Sequence, residues 1–373
     1  LSKQWMPNAF ESYVKNKKIN FIDIKGDFDP DQQIKVGAVL DAVGRGKFAM
    51  SQCSNFLDMI NEDKVSNGDV IFLQDYWHPG IESILYALDL YGIKVDIYAM
   101  LHAQSVDEYD FTYPMRTWMR GFELGLDKRM KGIFVGSTIH KEQLREAGFE
   151  APIHVVSLPI DLDATRNILD EDHSALANLK RSNTVVYSSR LDKEKNPYFM
   201  MEVAKQFLKL NPDWEWHVTT SGKEFKSMVP GVVKSLIKLS KENERFKLLS
   251  NLTKEQYYSE LATCSVQFNS SLQDYVSWTV IESTIFGADI VFPNFRSFPE
   301  FIPNDRMYRP FDVVSAVQVL SNTILSPRKH PLIGHISNLG RKMEAYIVAN
   351  NFDKEINIWH ETDYCINLLT EEE

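Results

Sequence analysis

Two stretches in the second half of the chain hold side chains whose types and spacing suit chemistry on a diphosphate. In Tyr187-Ser-Ser-Arg-Leu-Asp-Lys-Glu-Lys-Asn-Pro197, Arg190 and Lys195 stand five positions apart, just beyond an apolar run. A guanidinium and an ammonium so placed can both reach a diphosphate and stabilise the charge that builds on it as it leaves. In Ser270-Ser-Leu-Gln-Asp-Tyr-Val-Ser-Trp-Thr-Val-Ile-Glu-Ser283, seven residues separate Asp274 from Glu282, and Glu282 falls inside an apolar helical run. A carboxylate on such a face needs a partner, because burying it unpaired is costly. Ribose hydroxyls, which donate to an ionised carboxylate, are suitable partners. Backbone N–H groups around Ser277, Trp278 and Thr279 open that helix and make an anion site for the diphosphate.

The first half offers less. Ile97-Tyr-Ala-Met-Leu-His102 ends an apolar run in a histidine, a strand-end position where a lone histidine is more often structural. The polar loop after it, which contains Gln104, suits acceptor contacts. In Asp75-Tyr-Trp-His-Pro-Gly80, the aromatic pair Tyr76 and Trp77, with His78, can stack on a sugar or base, or simply pack as a loop. Lys25-Gly-Asp-Phe-Asp-Pro-Asp31 is only loosely like a calcium loop and has no closing Glu. No metal site and no cofactor are expected.

These residues need a scaffold that gathers loops at one end of a sheet. Short apolar runs alternate with helical stretches, the pattern of α/β layers around a parallel sheet. Strands are expected at 19–24, 70–74, 95–101, 132–135 and 154–157, with helices at 81–90, 114–130 and 141–147 between them. The polar stretch 158–183 breaks the rhythm and reads as a connection. Strands then recur at 184–188, 215–219, 246–249, 266–269 and 289–292, with helices between them and on to the end of the chain. The expected division is an N-terminal domain over 1–160, a linker over 161–183, a second domain over 184–340, and C-terminal helices over 341–373 that can cross back to the first domain. Two Rossmann-like doubly wound domains would hold a ligand in the cleft between them. Residues 1–16 read as an amphipathic helix that leads directly into the strand at 19–24. That order suggests that the first strand and glycine loop of the domain precede Leu1, or that 19–24 is itself the first strand.

The composition narrows the class. With 51 acidic and 41 basic residues the net charge is −10, which argues against a broad nucleic-acid coat but leaves room for a local basic groove. One stretch, 223–247, carries Lys226, Lys234, Lys238 and Lys241; Lys128 and Lys131 lie on a shorter turn. Three widely separated cysteines with no CxxC pair suggest neither a zinc site nor a disulfide framework and fit a reducing cytoplasm. The apolar runs are strand-sized, and no secretory leader pattern opens the sequence, so a cytoplasmic location is expected.

From about residue 185 to 302 the chain resembles the large retaining glycosyltransferase family 4. That family places an Arg and then a Lys after the first strand of its C-terminal domain, as Arg190 and Lys195 stand here. It then shows a carboxylate, seven residues and a Glu, matched by Asp274 and Glu282, with Asp in place of the usual Glu. Ser271 stands where the family has the Ser of its Pro-Ser pair, and Ser270 replaces the Pro. Tyr275, Val276 and Ser277 replace the usual glycine-rich pair, while Phe298-Pro-Glu-Phe-Ile302 resembles the family's Pro-Glu-Ile segment. His102 matches a family histidine that faces the donor sugar.

The resemblance implies a GT-B fold and metal-independent, retaining transfer of a hexosyl or pentosyl group from a nucleoside-diphosphate sugar, UDP-linked by expectation. It implies catalytic roles for His102, Arg190, Lys195 and Asp274, and donor binding by Ser277, Trp278, Thr279 and Glu282. Possible acceptor contacts are Tyr76, Trp77, His78 and Gln104. The expected acceptor is a soluble glycan or metabolite. Hydroxymethylated DNA, as modified by phage-type DNA glycosyltransferases, is an alternative in which the lysine helix tracks phosphates. A nucleotide-sugar epimerase and a non-catalytic binding module are further alternatives.

Overall fold

The computed structural model describes residues 19–27, 42–110, 112–156, 168, 180–327 and 356–361. The chain divides into two compact units: Leu1–Asp161 with Asn338–Glu373, and Leu162–Ser337. The expected opening helix over 1–16 and most of the expected connection over 158–183 lie outside the described residues.

The first unit carries β1 (Ile19–Ile24), β2 (Val70–Leu73), β3 (Asp96–Met100), β4 (Met130–Val135) and β5 (Ile153–Val155). A sixth strand, β12 (Ile356–Glu361), comes from the other end of the chain, and the order is β1-β12-β2-β3-β4-β5. Every pairing is parallel; β12 runs beside all six residues of β1 and beside Val70, Ile71 and Phe72 of β2. Residues 341–373, expected as helices, therefore contain a strand. The isoleucines of Ile-Asn-Ile-Trp-His-Glu stand at alternate positions, the period of two that suits a strand.

Helices α1 (Ala42–Asn61), α2 (Ile81–Tyr91), α3 (Arg116–Asp127) and α4 (Thr138–Glu146) connect these strands. Gly92 ends α2 in the left-handed region at φ 70°, where its N–H satisfies the Asp89 carbonyl. Phe56 and Ile60 of α1 and Ile84 and Leu88 of α2 pack with Ile71, Leu73, Ile97 and Ile133 of the sheet. Each such side chain contributes about 1.5–3 kcal/mol by leaving water.

The second unit alternates β6 (Ser182–Tyr187), α5 (Pro197–Leu210), β7 (Glu215–Thr219), α6 (Val232–Glu242), β8 (Phe246–Leu249), α7 (Lys254–Thr263) and β9 (Cys264–Phe268). It continues through α8 (Trp278–Ile285), β10 (Asp289–Pro293), α9 (Phe298–Phe301), β11 (Met307–Tyr308) and α10 (Val313–Leu325). The all-parallel sheet runs β11-β10-β9-β6-β7-β8. The chain builds outward from β6 through β7 to β8, then returns to β9 on the opposite side of β6. The loops after β6 and β9 thus diverge at a topological switch point, where open α/β sheets bind ligands. Val185, Tyr187, Val218, Phe268 and Val291 of the strands pack with Phe207 of α5 and Leu320 of α10 beneath it.

Candidate functional site

The switch point brings the two chemistry-bearing stretches together. Asn196, at φ 50°, turns the chain so that Pro197 opens α5 with its fixed φ and no amide to satisfy. This fixes the backbone of Lys195, whose carbonyl accepts from the Tyr187 hydroxyl at 3.0 Å and from Ser270 Oγ at 2.7 Å. The Lys195 ammonium donates to Ser271 Oγ at 3.0 Å, to the Gln273 carbonyl at 2.8 Å and to Asp274 Oδ1 at 2.9 Å. All three of its hydrogens are used, and its side chain is buried. The Leu272 N–H donates to the Glu194 carbonyl at 2.7 Å and fastens the same two loops a second time. Behind them the Tyr308 hydroxyl holds the Asn269 carbonyl at 2.8 Å, and the Tyr308 ring lies stacked between those of Phe199 and Phe268.

Arg190 is held differently. Its exposed guanidinium donates to Asp192 at 3.0 Å and to Glu194 at 2.7 Å. Ion pairs open to water contribute about 0–1 kcal/mol, so an incoming dianion can compete for this guanidinium.

Ser277 precedes α8, but its side chain caps no amide there; its Oγ lies 2.8 Å from Thr279 Oγ1. Asn269 Nδ2 donates to the same Thr279 oxygen at 3.0 Å, and Asn269 Oδ1 accepts from the Ser271 N–H at 2.7 Å. The opening turn of α8, with Trp278 half-buried at its start, is thus tied to the loop that carries Asp274. One turn further on, Glu282 is buried and its carboxylate accepts three hydrogen bonds. Lys254 Nζ and the Tyr258 hydroxyl reach Oε1 at 2.9 and 3.1 Å, and the Tyr257 hydroxyl reaches Oε2 at 2.9 Å. Burial, and then the Glu282 charge, push both phenols well above their ordinary range, so both remain donors. Tyr257 also lies 3.1 Å from Ser188 Oγ, at the end of β6.

Sequence reasoning missed Lys254, Tyr257 and Tyr258. The one local signal was the capping box of Thr253 and Gln256, which starts α7 and sets all three along its first turns.

In the first unit His102 is exposed beyond β3, with Nε2 2.9 Å from the Gln74 carbonyl that follows β2. Asp75 is paired with Arg45, which also donates to the Trp77 carbonyl at 3.0 Å. Burial works against the Asp75 charge, but Arg45 and then His102 outweigh it and hold the carboxyl below its usual range. Trp77 packs edge-on against Phe122 and the exposed Trp118, at ring distances of 4.6 and 5.6 Å. Gln104 begins a short 3-10 turn after β3.

Tyr76 and His78, expected as possible acceptor contacts, are both buried. Tyr76 is fully buried and donates to the Glu123 carbonyl at 2.6 Å; His78 is buried with Nε2 3.3 Å from Gln52 Oε1. Burial, then the Arg45 charge, lower His78 to about 4 and keep it neutral. The loop after β2 turns these two side chains inward because Tyr76 N–H bonds the Met100 carbonyl at the end of β3. Lys234, Lys238 and Lys241 lie exposed along α6, Lys238 paired with Glu242, so they line a solvated face of mixed charge. Lys128 and Lys131 pair with Glu150 and Asp96.

No helix among the described residues is long and apolar enough to cross a membrane. No family model matches the sequence, and no curated protein matches it in sequence. Solved structures do match in fold. Sucrose-phosphate synthase from Thermosynechococcus elongatus is 12% identical, with a TM-score of 0.60 over 88% of this chain and 81% of that one. A UDP-forming α,α-trehalose-phosphate synthase from Burkholderia xenovorans, solved with glucose-6-phosphate, is 10% identical, with a TM-score of 0.60 over 83% of this chain and 77% of that one. The pneumococcal O-GlcNAc transferase GtfA, in complex with UDP and GlcNAc, is 12% identical, with a TM-score of 0.56 over 82% of this chain and 60% of that one. At these identities the likeness is one of architecture, and with the two parallel sheets it gives this chain the GT-B fold, built of two Rossmann-like units.

Proposed function

We propose that this protein is a glycosyltransferase that moves a sugar from a nucleoside-diphosphate sugar, UDP-linked, to a hydroxyl of a soluble glycan or metabolite, with retention. One observation carries the reading: Lys195 is joined to Asp274, and Glu282 on α8 is joined through Tyr257 to Ser188, so the segments that follow β6 and β9 meet at the switch point, with Arg190 on the first of them. The UDP bound to GtfA and the UDP-forming reaction of the trehalose-phosphate synthase support it.

In this reading Arg190 and the amides of Ser277 to Thr279 take the diphosphate, and Lys195 supplies charge from below. Glu282 accepts from the ribose, and Asp274 contacts the donor sugar. The bond from the anomeric carbon to the diphosphate oxygen breaks as the acceptor oxygen bonds to that carbon on the same face. The acceptor proton passes to the leaving diphosphate, so no side chain need be a strong base and no metal is required. On the resemblance, Trp77 of the first unit contacts the acceptor. Location in the cytoplasm accompanies this proposal.

The test is turnover of a panel of nucleoside-diphosphate sugars, first without acceptor and then with glycans, metabolites and hydroxymethylated DNA. Release of UDP, and a product with the donor's anomeric configuration by NMR, is the expected result. No hydrolysis or transfer from any donor would reduce the protein to a binding module, and an epimerised sugar nucleotide would make it an epimerase.

A further inference from the structure

The partners of Glu282 are unequal, and the inequality has a use. Oε1 accepts from Lys254 and Tyr258, and Oε2 from Tyr257 alone. Each carboxylate oxygen has two acceptor positions, so Oε1 is filled and Oε2 keeps one open. A ribose presents two neighbouring hydroxyls and needs two positions. Tyr258 is buried and Tyr257 half-buried, with Tyr257 also held by Ser188 at 3.1 Å. Lys254, by contrast, is 59% exposed along its side chain and opens α7 from the solvent side. An ammonium so exposed returns to water at small cost, whereas a buried phenol does not.

Resting on the donor-site reading above, we propose that Lys254 and Tyr257 act together as a ribose-recognition pair. Lys254 is the displaceable partner, which leaves Oε1 as ribose hydroxyls arrive. Tyr257 is the positioning residue, which keeps the carboxylate aimed while the ammonium is away. The empty site thereby keeps its buried carboxylate paired, and the loaded site offers two acceptor positions to one sugar. The chemical class selected is a ribonucleoside diphosphate over its 2′-deoxy form.

The experiment is calorimetric titration of the wild type, Lys254→Met and Tyr257→Phe with UDP, ADP and GDP and with their 2′-deoxy counterparts, after melting curves establish that each variant folds. Lys254→Gln replaces the Met variant should that one fail to fold. The wild type is expected to prefer the ribo form. Tyr257→Phe should reduce that preference by about tenfold, the range of a hydrogen bond to a charged group. Lys254→Met should keep the preference and bind the ribonucleotide up to about fivefold more tightly, because the competing exposed ion pair is gone. Weaker ribonucleotide binding in Lys254→Met, or an unchanged preference in Tyr257→Phe, overturns the pair. A wild type that binds none of the three diphosphates overturns the donor-site reading itself, which is a different result.

Discussion

Lys195 Nζ lies 2.9 Å from Asp274 Oδ1, each on a separate loop, with side chains only 9% and 22% exposed. The ion pair joins the loop that ends β6 to the loop that leads into α8. A lysine described by sequence as a phosphate ligand is therefore also the clasp of its own site.

Lys195→Ala is expected to lose fold stability as well as turnover. Removing one partner of a largely buried pair typically costs about 3–5 kcal/mol, and here it also empties contacts to Ser271 and Gln273. Arg190→Ala should leave the melting temperature nearly unchanged, since its ion pairs are exposed, yet lose about 3–4 kcal/mol of transition-state stabilisation. Steady-state kinetics and thermal melts on both variants separate the two roles. Near-wild-type turnover in Arg190→Ala would remove it from the diphosphate site.

Glu282→Gln keeps one acceptor oxygen but points an amide at donors already committed to the carboxylate. The donor KM should rise about tenfold or more, the scale of a charged hydrogen bond, with kcat changed far less. A nucleotide complex in which neither ribose hydroxyl reaches Glu282 would rule out this role.

The segments of the candidate site were legible because they are local. Strand, loop and helix opening are punctuated by Asn196, Pro197 and the apolar run after Ser277, so Arg190, Lys195, Asp274 and Glu282 could be placed from spacing alone. Their partners were not. Lys254, Tyr257 and Tyr258 reach Glu282 from a different helix, and no sequence period links the two. For Tyr76 and His78 the sequence left two readings open, stacking on a ligand and packing as a loop, and the Tyr76 amide bond to Met100, which turns the loop in, is not visible in the sequence. The place of β12 depends on pairing between opposite ends of the chain, which propensity does not encode.

Stability should fall on the alkaline side of neutrality through one histidine. His217 sits between Glu215, 3.0 Å from Nε2, and Glu260, in contact with Nδ1. Burial lowers its affinity for a proton, but Glu260 and then Glu215 outweigh this and raise it above the ordinary value of about 6.5. A raised folded-state pKa contributes stability that is fully present below about pH 6.5 and is lost as pH rises through the folded value. Melting temperatures from pH 5.5 to 9 should decline through this window, by about 2–4 °C for each kcal/mol lost. His217→Phe should flatten that decline; an unchanged slope in the variant would contradict the assignment.

Chelation should leave turnover intact, because every role proposed for the diphosphate uses protein cations and backbone amides. Complete loss of activity in EDTA, restored by magnesium or manganese, would require a different mechanism.

Trp77→Ala should raise the acceptor KM several-fold and spare donor hydrolysis, while Tyr76→Phe should cost about 0.5–1.5 kcal/mol of stability by removing the hydroxyl's bond to the Glu123 carbonyl. Equal acceptor kinetics in Trp77→Ala would move the acceptor contacts elsewhere on the first unit.

The position of β12 between β1 and β2 sets an order of events during synthesis. Residues of the second unit are contiguous and can fold as soon as they leave the ribosome. The sheet of the first unit is interrupted until the strand at Ile356–Glu361 emerges, even though β1 to β5 were made long before. Until then β1 and β2 each present an unpaired edge, open to any passing extended segment. The unit that holds β1 to β5 is therefore completed after the unit that follows it, and a nascent chain stalled before residue 356 carries an unfinished sheet.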